Sequence, residues 1–583
     1  MEKFYDRMRN FKFPGKLEIN LVFNSFSKKE KRVFLGLLMV LLLSTIAIVQ
    51  SINTSFMITV PLRGGSVSLG IVGVPRFVNP ILANSQADEN LVSFIYSGLM
   101  RKNDEGALIP DLAEKYEMSK DGLTYTFFLK DNLYFQDGKP LTATDILFTV
   151  NKIKDSIIKS PRKVDWDGVS VEQIDGKTIK FSLKQPYALF LENATLGIMP
   201  AHLWENSPIE LNDANTNPIG SGPYMISVAS KQSSGIIDFY KLVPFKKFVL
   251  GEAYIENINL RFYQNEDDLM RALIGKEVDQ ISSIAPINAE TLKEKNYQVE
   301  SSVLPRVFGL FLNQNQKQLF TDKTIVRAIN QAIDKEKIVR EVLLGYGMVI
   351  GSPIPPNMTQ YQKTNIQTDM TRKETLEKVQ NDLLKAGWKK DAEGFLEKTA
   401  TVNKKKTTTK LEFSISTGNV TELTQTAELI KQDLADIGMK VEVKTFETGN
   451  LNQNVIRPRK YDALLFGEII NHESDLFAFW HSSQRKDPGL NVAMYTNAKV
   501  DKILEDAFVI IDEQARIKKY IEFEDEIKKD TPAIFLYSPD FIYVAPKDLK
   551  EFKIDYTISS LDHYMNAYLW YTQTENVWKI FAR

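Results

Sequence analysis

The 583-residue sequence contains no cysteine and only four histidines. The lack of cysteine excludes disulfide bonds, thiolate metal ligands, cysteine nucleophiles and a lipid anchor attached to cysteine. The sequence also lacks an excess of either charge, since 73 basic and 74 acidic side chains give a net charge of −1. We therefore expect no nucleic-acid partner, because proteins that bind nucleic acid carry a basic surface. No pattern in the sequence calls for a cofactor.

Long apolar runs are scarce, and the longest, Val33–Val49, lies near the N-terminus. Met1–Arg32 precedes it with nine Lys or Arg and four Asp or Glu, a charge of +5. Positive charge before an apolar span is typical of the cytoplasmic side of a membrane. We predict a cytoplasmic tail over residues 1–32 and a transmembrane anchor and connector over residues 33–58, with the polar connector at Ser51–Ser55. The ectodomain would then lie outside the cytoplasm. A cleaved signal peptide is the alternative.

The length of the chain predicts two or three compact units, each with its own core. Strand-like and helical patterns alternate through Val303–Ala533, as expected for an α/β protein. Leu411–Ser416 and Met439–Val443 have the character of buried strands, and the intervening Thr421–Ile437 has apolar residues at helical spacing. These three segments predict a βαβ unit.

Several motifs occur in a fixed order along the ectodomain. The first range, Tyr116–Val150, contains an acidic turn, an aromatic strand and a Phe-x-Asp-Gly-x-Pro-Leu-Thr-Ala-x-Asp segment. A Gly-Pro-Tyr turn follows at Asn217–Tyr224, a strand followed by a helix at Arg306–Lys335, and an aromatic pair at Phe479–Trp480. In this order they resemble the large extracellular solute-binding proteins of oligopeptide and dipeptide ABC transporters, family 5. The resemblance extends from about Gly64 to the early 540s.

The resemblance implies an α/β, two-lobed fold like that of the type II periplasmic binding proteins, with an extra subdomain. Lobe I would comprise residues 64–304 and include a subdomain at about 90–200. Lobe II would comprise residues 305–534, and residues 535–583 would return to lobe I and form the C-terminal tail. The implied protein is a monomer that is anchored in the membrane, captures peptides or peptide-like solutes by lobe closure, and delivers them to an ABC permease.

The segment Tyr461–Trp480 is the strongest candidate for a ligand site. Its apolar start, Ala463–Phe466, predicts a buried strand that breaks at Gly467 into a polar loop and then an aromatic cluster. A strand followed by a loop of polar residues is a common ligand site. With apolar walls and residues from the first loop of lobe I added, the predicted ligand-binding residues are Phe77, Asn79, Phe308, Gly467, Glu468, Asn471, His472 and Trp480.

The resemblance also implies a partner for the ammonium group of a peptide. In well-known members an aspartate just after the lobe II strand binds this group, but the matching position near Ile469–Asn471 has no acid here. Glu468 is the nearest carboxylate and could replace the aspartate. Glu473 and Asp475 match the acidic pair that leads into the following helix in the family. This departure leaves recognition of a free amine open.

Two other classes of function compete with solute binding. A hydrolase is disfavoured because Gly64–Ser68 lacks the final glycine of a nucleophile elbow. A metal site is disfavoured because His472 and His481 are nine residues apart and cannot share one face of a helix. We therefore predict neither an enzyme nor a metal centre. A binder of a metal chelate or an oligosaccharide, and a sensor or chaperone of the same fold without a permease, stay open as alternatives.

Overall fold

The structure is a computed structural model. It describes residues 15–581 except for 104–105, 188, 357, 359–369, 403–404 and 554–561. The chain forms two compact units. The terminal unit consists of Met1–Leu62 and Gln573–Arg583, and the large unit consists of Arg63–Thr572.

Within the described residues, the strands in chain order are β1 Met57–Leu62, β2 Ser66–Val72, β3 Met100–Lys102, β4 Leu108–Pro110, β5 Ala113–Met118, β6 Thr124–Leu129, β7 Val169–Gln173, β8 Thr178–Leu183, β9 Tyr224–Lys231, β10 Ile237–Pro244, β11 Asn257–Tyr263, β12 Gln280–Ser282, β13 Val299–Val303, β14 Arg306–Leu312, β15 Gly347–Val349, β16 Lys389–Lys390, β17 Leu396–Val402, β18 Lys405–Lys410, β19 Glu412–Gly418, β20 Lys440–Phe446, β21 Ala463–Ile469, β22 Ala533–Val544 and β23 Gln573–Trp578.

The helices of the same described residues are α1 Lys16–Ser25, α2 Lys28–Ser55, α3 Gln86–Ile95, α4 Ala143–Lys154, α5 Phe190–Asn193, α6 Ala201–Trp204, α7 Glu266–Ile274, α8 Pro286–Glu294, α9 Lys323–Ala332, α10 Lys335–Glu341, α11 Arg372–Lys385, α12 Thr421–Asp436, α13 Thr448–Asn450, α14 Asp475–Trp480, α15 Ala498–Val509, α16 Glu513–Asp530 and α17 Asp562–Met565.

The terminal unit contains the apolar helix α2 and a two-stranded ribbon. Ser27 and Glu30 cap the start of α2: the Ser27 N–H donates to Glu30 Oε2 at 2.7 Å, and the Ser27 hydroxyl accepts the Glu30 N–H. Strand β1 pairs antiparallel with β23, which brings Met57 opposite Trp578. Among the described residues, α2 alone is long and apolar enough to cross a membrane.

Within the predicted anchor and connector, the structure extends α2 beyond the apolar span and then begins β1. The expected polar connector Ser51–Ser55 is the last part of α2. Its hydroxyls bond to carbonyls inside the helix, for example Thr54 Oγ1 to the Ser51 oxygen at 3.0 Å, so these polar residues do not end the helix. The apolar residues that follow, Met57 and Ile58, belong to β1 and do not extend the anchor.

The large unit is built on one long sheet in the order β20-β19-β21-β14-β22-β12-β2-β11-β10-β9. Strand β22 joins its two halves. Its first part pairs with β14, from Phe311 opposite Ala533 to Phe308 opposite Tyr537, and its later part pairs with β13. We call β14, β19, β20, β21 and the start of β22 lobe II, and β2, β9 to β13 and the end of β22 lobe I.

The two lobes are also linked between β13 and β14. The Leu304 N–H donates to the Pro539 oxygen at 3.1 Å, and the buried Ser538 hydroxyl donates to the Leu304 oxygen at 2.7 Å. Both strands that pass between the lobes are therefore tied to each other at this point. Prolines at 305 and 539 flank it.

Strand β14 is buried on both faces. Leu310 and Leu312 pack in one core of lobe II, and Val307 and Phe311 pack in another. This burial explains the continuous apolar run of the strand. The predicted βαβ unit is confirmed as β19, α12 and the parallel strand β20.

A small subdomain extends from lobe I. Its four-stranded sheet has the order β5-β6-β8-β7, and α4 packs on it. The start of α4 is a capping box in which Asp145 accepts the Thr142 N–H at 2.9 Å. A short helical turn, Lys163–Trp166, connects α4 to β7. This turn carries one of the acids of the candidate site.

Candidate functional site

The sequence predicts that strand β21 breaks at Gly467. In the structure the strand continues to Ile469. Gly467 lies opposite Phe308 of β14. A Cβ atom at Gly467 would lie 2.6 Å from the Phe308 ring, which itself stacks on Tyr537 with ring centroids 5.0 Å apart. The glycine is therefore needed to make room for a neighbouring ring and does not mark the end of the strand.

Because the strand continues, Glu468 lies in the sheet and not in a loop. Its side chain is 2% exposed, and neither carboxylate oxygen has a hydrogen-bond partner among the described residues. Burial raises the pKa of Glu468 well above its usual value. Burial in lobe II thus favours the neutral form of this carboxyl group.

The loop after β21 leads directly into α14, whose first residue is Asp475. Asp475 Oδ2 accepts the His472 N–H at 3.0 Å, so this side chain bonds to the backbone of its own loop. Glu473 is held elsewhere, with an oxygen 2.7 Å from Arg516 Nε. Asn471, His472, Ser474 and Asp475 border a cavity of about 450 Å³ that is otherwise lined by lobe I and the small subdomain.

The cavity lining is strongly charged. In the described lining there are five carboxyl groups and three cationic side chains, namely Glu89, Asp111, Asp165, Glu192 and Asp475 with Arg101, Lys102 and Arg162. Two of the cations are paired with acids. Lys102 Nζ lies 2.9 Å from Glu192 Oε2, and Arg162 lies 3.2 Å from Glu89 Oε1.

The third cation, Arg101, is next to a buried acid. Arg101 donates to Asn566 Oδ1 at 2.6 Å, and its guanidinium lies over the Tyr568 ring at 5.3 Å. Asp111 is 5% exposed, and its Oδ1 has no hydrogen-bond partner among the described residues. Burial raises the pKa of Asp111 to about 7, although the charges of Arg101 and Lys130 lower it.

Among the described residues, Asp165 and Asp475, like Asp111, form no ion pair with a cation of the lining. Asp165 comes from the small subdomain and Asp475 from lobe II. Burial raises the pKa of each carboxyl group. For Asp165, the positive charge of Arg162 lowers the pKa and the negative charge of Asp475 raises it further. The negative charge of Asp475, in lobe II, thus disfavours the charge of Asp165, in the small subdomain, while His472 favours it.

An aromatic residue joins the same two parts of the fold. Tyr187, in the segment after β8, stacks on Phe508 of α15 with ring centroids 5.0 Å apart. Burial raises the pKa of Tyr187 to about 12, and the nearby Ser474 hydroxyl lowers it. The cavity is thus bordered by a contact between the small subdomain and lobe II.

Of the eight predicted ligand-binding residues, the structure places Asn471 and His472 at the cavity. The other six lie outside its described lining. Asn79 is fully buried and bonds to Asn215 Oδ1 at 2.9 Å, while Trp480 is 1% exposed and packs on Phe535. Phe77 is half-buried, and its N–H donates to Asp88. Glu468 is buried in lobe II, and Phe308 and Gly467 are half-buried on the paired strands β14 and β21. Ligand contact by any of the eight stays a prediction.

Sequence reasoning missed the charged residues that the small subdomain brings to the cavity. Asp111 carries a weak signal, since it stands between the apolar Ile109 and Leu112, where an acid is unusual. Asp165 and Arg162 have no such signal, because they lie in a polar stretch that is typical of a solvated turn. No group of three or more His, Asp or Glu side chains in the described part of the chain is arranged to hold a metal ion.

Two lobes joined by paired crossing strands, with a charged cavity that both sides border, define a two-lobed binding protein of the type II periplasmic-binding-protein fold. Residues 107–488 match the family model of the bacterial extracellular solute-binding proteins, family 5. The chain belongs to this family, which confirms the resemblance seen in the sequence. Members of this family are substrate-binding proteins of transport and not enzymes.

The relatives support the same assignment over most of the chain. Oligopeptide-binding protein AppA of Bacillus subtilis (strain 168) is 28% identical over 505 residues, which cover 85% of this chain and 90% of that protein. Glutathione-binding protein GsiB of Escherichia coli (strain K12) is 25% identical over 498 residues, which cover 82% of this chain and 90% of that protein. The structure of Bacillus subtilis AppA in complex with a nonapeptide matches with a TM-score of 0.67 and 26% identity, and covers 88% of this chain and 99% of that chain.

Proposed function

We propose that this chain is a membrane-anchored extracytoplasmic receptor that captures short peptides or peptide-like solutes with a free amine and delivers them to an ABC permease. Membership of family 5 and the names of the relatives support solute capture, and peptide capture in particular. The cavity volume of about 450 Å³ lies in the range of small-ligand pockets, about 300–1,000 Å³. A cavity of this size favours a short peptide over a long one.

The observation that carries the proposal is the pair Asp165 and Asp475. Both carboxyl groups have pKa values raised by burial, and Asp475 raises the pKa of Asp165 further. A ligand ammonium bound between them would neutralise two charges that disfavour each other and satisfy oxygens in a partly dry site. The pair would thus replace the aspartate that the family places after the lobe II strand.

The loop residues Asn471 and His472 would then recognise the rest of the ligand. Both border the cavity next to Asp475. An amide and an imidazole offer donors and acceptors of the kind that a peptide bond requires. The buried Glu468 is not needed in this arrangement, because it lies in the core of lobe II.

Ligand capture would be coupled to closure of the lobes. Asp165 and Asp475 belong to different parts of the fold, so a cation that contacts both stabilises the closed arrangement over an open one. The tied crossing strands at Leu304 and Ser538 are the natural hinge. The stacking of Tyr187 on Phe508 adds a contact that the open form would lack.

The terminal unit would hold this receptor at the membrane as a monomer. The apolar helix α2 follows a basic tail, as in a single-pass anchor with a cytoplasmic N-terminus. Tethering raises the effective concentration of the receptor near a permease in the same membrane. We propose no catalytic step, because capture and release require only binding and a hinge motion.

Native mass spectrometry of the full-length chain in lipid nanodiscs tests this proposal. We expect a co-purified peptide or peptide-like amine that is lost on denaturation. Asp475→Asn should carry less of it, whereas Asp525→Asn, a change at an exposed position on α16, should carry the native amount. Recovery of a sugar or a metal chelate in place of an amine would overturn the substrate class. Binding and refolding of unfolded client proteins by the chain would favour a chaperone.

A further inference from the structure

The end of helix α2 and the segment after β23 form one apolar surface within the terminal unit. The Trp578 indole N–H donates to Asn53 Oδ1 at 2.7 Å, and the Lys579 N–H donates to the Phe56 oxygen at 3.0 Å. These bonds fix the segment Trp578–Phe581, which we call the C-terminal turn, against the last turn of α2. Lys579–Phe581 form a single short helical turn.

The C-terminal turn exposes large apolar side chains. Ile580 is 77% exposed, Phe581 is 72% exposed, and Trp578 is 45% exposed. A groove of about 750 Å³ runs between this turn and the helix, and its lining includes Ile46, Val49, Trp578 and Ile580. Two of these residues, Ile46 and Val49, belong to the apolar span itself. The C-terminal turn therefore lies beside the outer end of the predicted membrane span.

Although α2 as a whole is long enough to cross a bilayer, its continuous apolar span Val33–Val49 is short. Its 17 residues would reach about 25 Å at about 1.5 Å per residue, against about 30 Å of hydrocarbon. Apolar side chains beside its outer end would cover part of that difference. Tryptophan is enriched at the membrane–water interface, and a lysine next to it can extend its ammonium to the headgroups.

We propose that the C-terminal turn inserts into the lipid interface as a second membrane contact of this chain. The occupant of the groove is lipid, because the groove is continuous with the apolar face of α2. This inference rests on the proposed anchoring of α2. The start of β1 and the end of β23 both adjoin the helix, so both strands of the ribbon would then be held at the bilayer. The chain leaves and re-enters the terminal unit at the paired residues Leu62 and Gln573.

Site-specific labelling tests this inference, and the absence of native cysteine makes each label unique. The full-length variants Ile580→Cys, Glu575→Cys and Ile46→Cys are labelled with a nitrobenzoxadiazole fluorophore. Each is reconstituted in vesicles of phosphatidylcholine and phosphatidylglycerol without spin-labelled lipid, with lipids that carry a nitroxide near the headgroup, or with lipids that carry one deep in the acyl chain. Ile580 is so exposed that its replacement removes little packing, and Glu575 is an exposed control five residues earlier, on β23.

We expect quenching at position 580 to exceed that at position 575 by about threefold or more, with a blue-shifted emission at 580. Equal quenching at the two positions, or none at 580, would overturn the inference. The Ile46→Cys label reports the anchor separately. If it is quenched by deep nitroxides while position 580 is not, the anchor stands and only the second contact fails. If neither is quenched, both fail. If the label at position 580 becomes shielded from water only after a permease is added, the groove binds protein and not lipid. That result would also overturn the inference.

Discussion

The ring of Tyr187 stacks on the ring of Phe508 with centroids 5.0 Å apart and planes inclined by 17°. Tyr187 belongs to the small subdomain, and Phe508 belongs to α15 of lobe II. Nearby, a Cβ atom on Gly122 would lie 2.1 Å from the Ile511 side chain, so the turn before β6 also approaches lobe II. Contacts between protein groups therefore join the small subdomain to lobe II.

Removal of this stacking should weaken ligand binding without a change in the cavity lining. Stacked aromatic pairs contribute about 0.5–1.5 kcal/mol beyond their buried area, which corresponds to about a two- to tenfold loss of affinity for Phe508→Ala. Val509→Ala, the next residue on the same helix and partly exposed, is the control. Calorimetry gives the affinity, and small-angle scattering gives the compactness of the unliganded variant. Native affinity in Phe508→Ala would show that the contact does not stabilise closure.

The acid pair should give binding a characteristic pH dependence. Because burial raises the pKa of Asp165 and of Asp475, protonation at moderately low pH removes the negative charges that an ammonium requires. Affinity for an amine ligand should therefore rise with pH through these raised pKa values and then level off. We expect Asp475→Asn to lose about 10- to 100-fold in affinity near neutral pH and to show a flatter pH profile. Asp525→Asn should keep the native affinity and the native pH profile. An unchanged profile in Asp475→Asn would remove this acid from the site.

Asp111 should make the fold less stable as the pH rises. The ordinary pKa of an aspartate is 3.8, whereas the pKa of Asp111 in the fold is about 7, so between these values the folded chain keeps a proton that the unfolded chain has lost. Raising the pH through this window favours unfolding. We expect the advantage of Asp111→Asn over the native chain to grow by roughly 2–4 kcal/mol between about pH 4 and about pH 8. Denaturant titrations at each pH measure it, and Asp525→Asn should show no such trend.

The sequence and the structure lead to different predictions for Glu468. The sequence makes it a replacement for the amine-binding acid, whereas the structure buries it in the core of lobe II with a strongly raised pKa. From the structure we expect Glu468→Gln to change ligand affinity by no more than about twofold, since an amide closely matches a neutral acid in shape. Calorimetry decides between the two. A tenfold loss of affinity would return Glu468 to the binding site.

The parts of the fold that sequence patterns predicted are those set by local periodicity. The βαβ unit at β19, α12 and β20 follows from apolar spacing alone, and so does the loop that carries Asn471 and His472. Gly467 misled the prediction because its role is to make room for Phe308, which is distant in sequence and unpredictable from local pattern. The acids of the small subdomain likewise depend on their position across from lobe II for the role proposed for them. Asp165 has nothing in its own segment to separate it from a solvated turn.

The proposed binding of a ligand amine between Asp165 and Asp475 is tested by one pair of titrations. The solute that co-purifies with the full-length chain is titrated calorimetrically in its native form and in an amine-acetylated form, against the native chain and Asp475→Asn. We expect acetylation to weaken binding to the native chain by about tenfold or more and to have a much smaller effect on the variant. Equal affinity of the two forms for the native chain would contradict the proposed amine site.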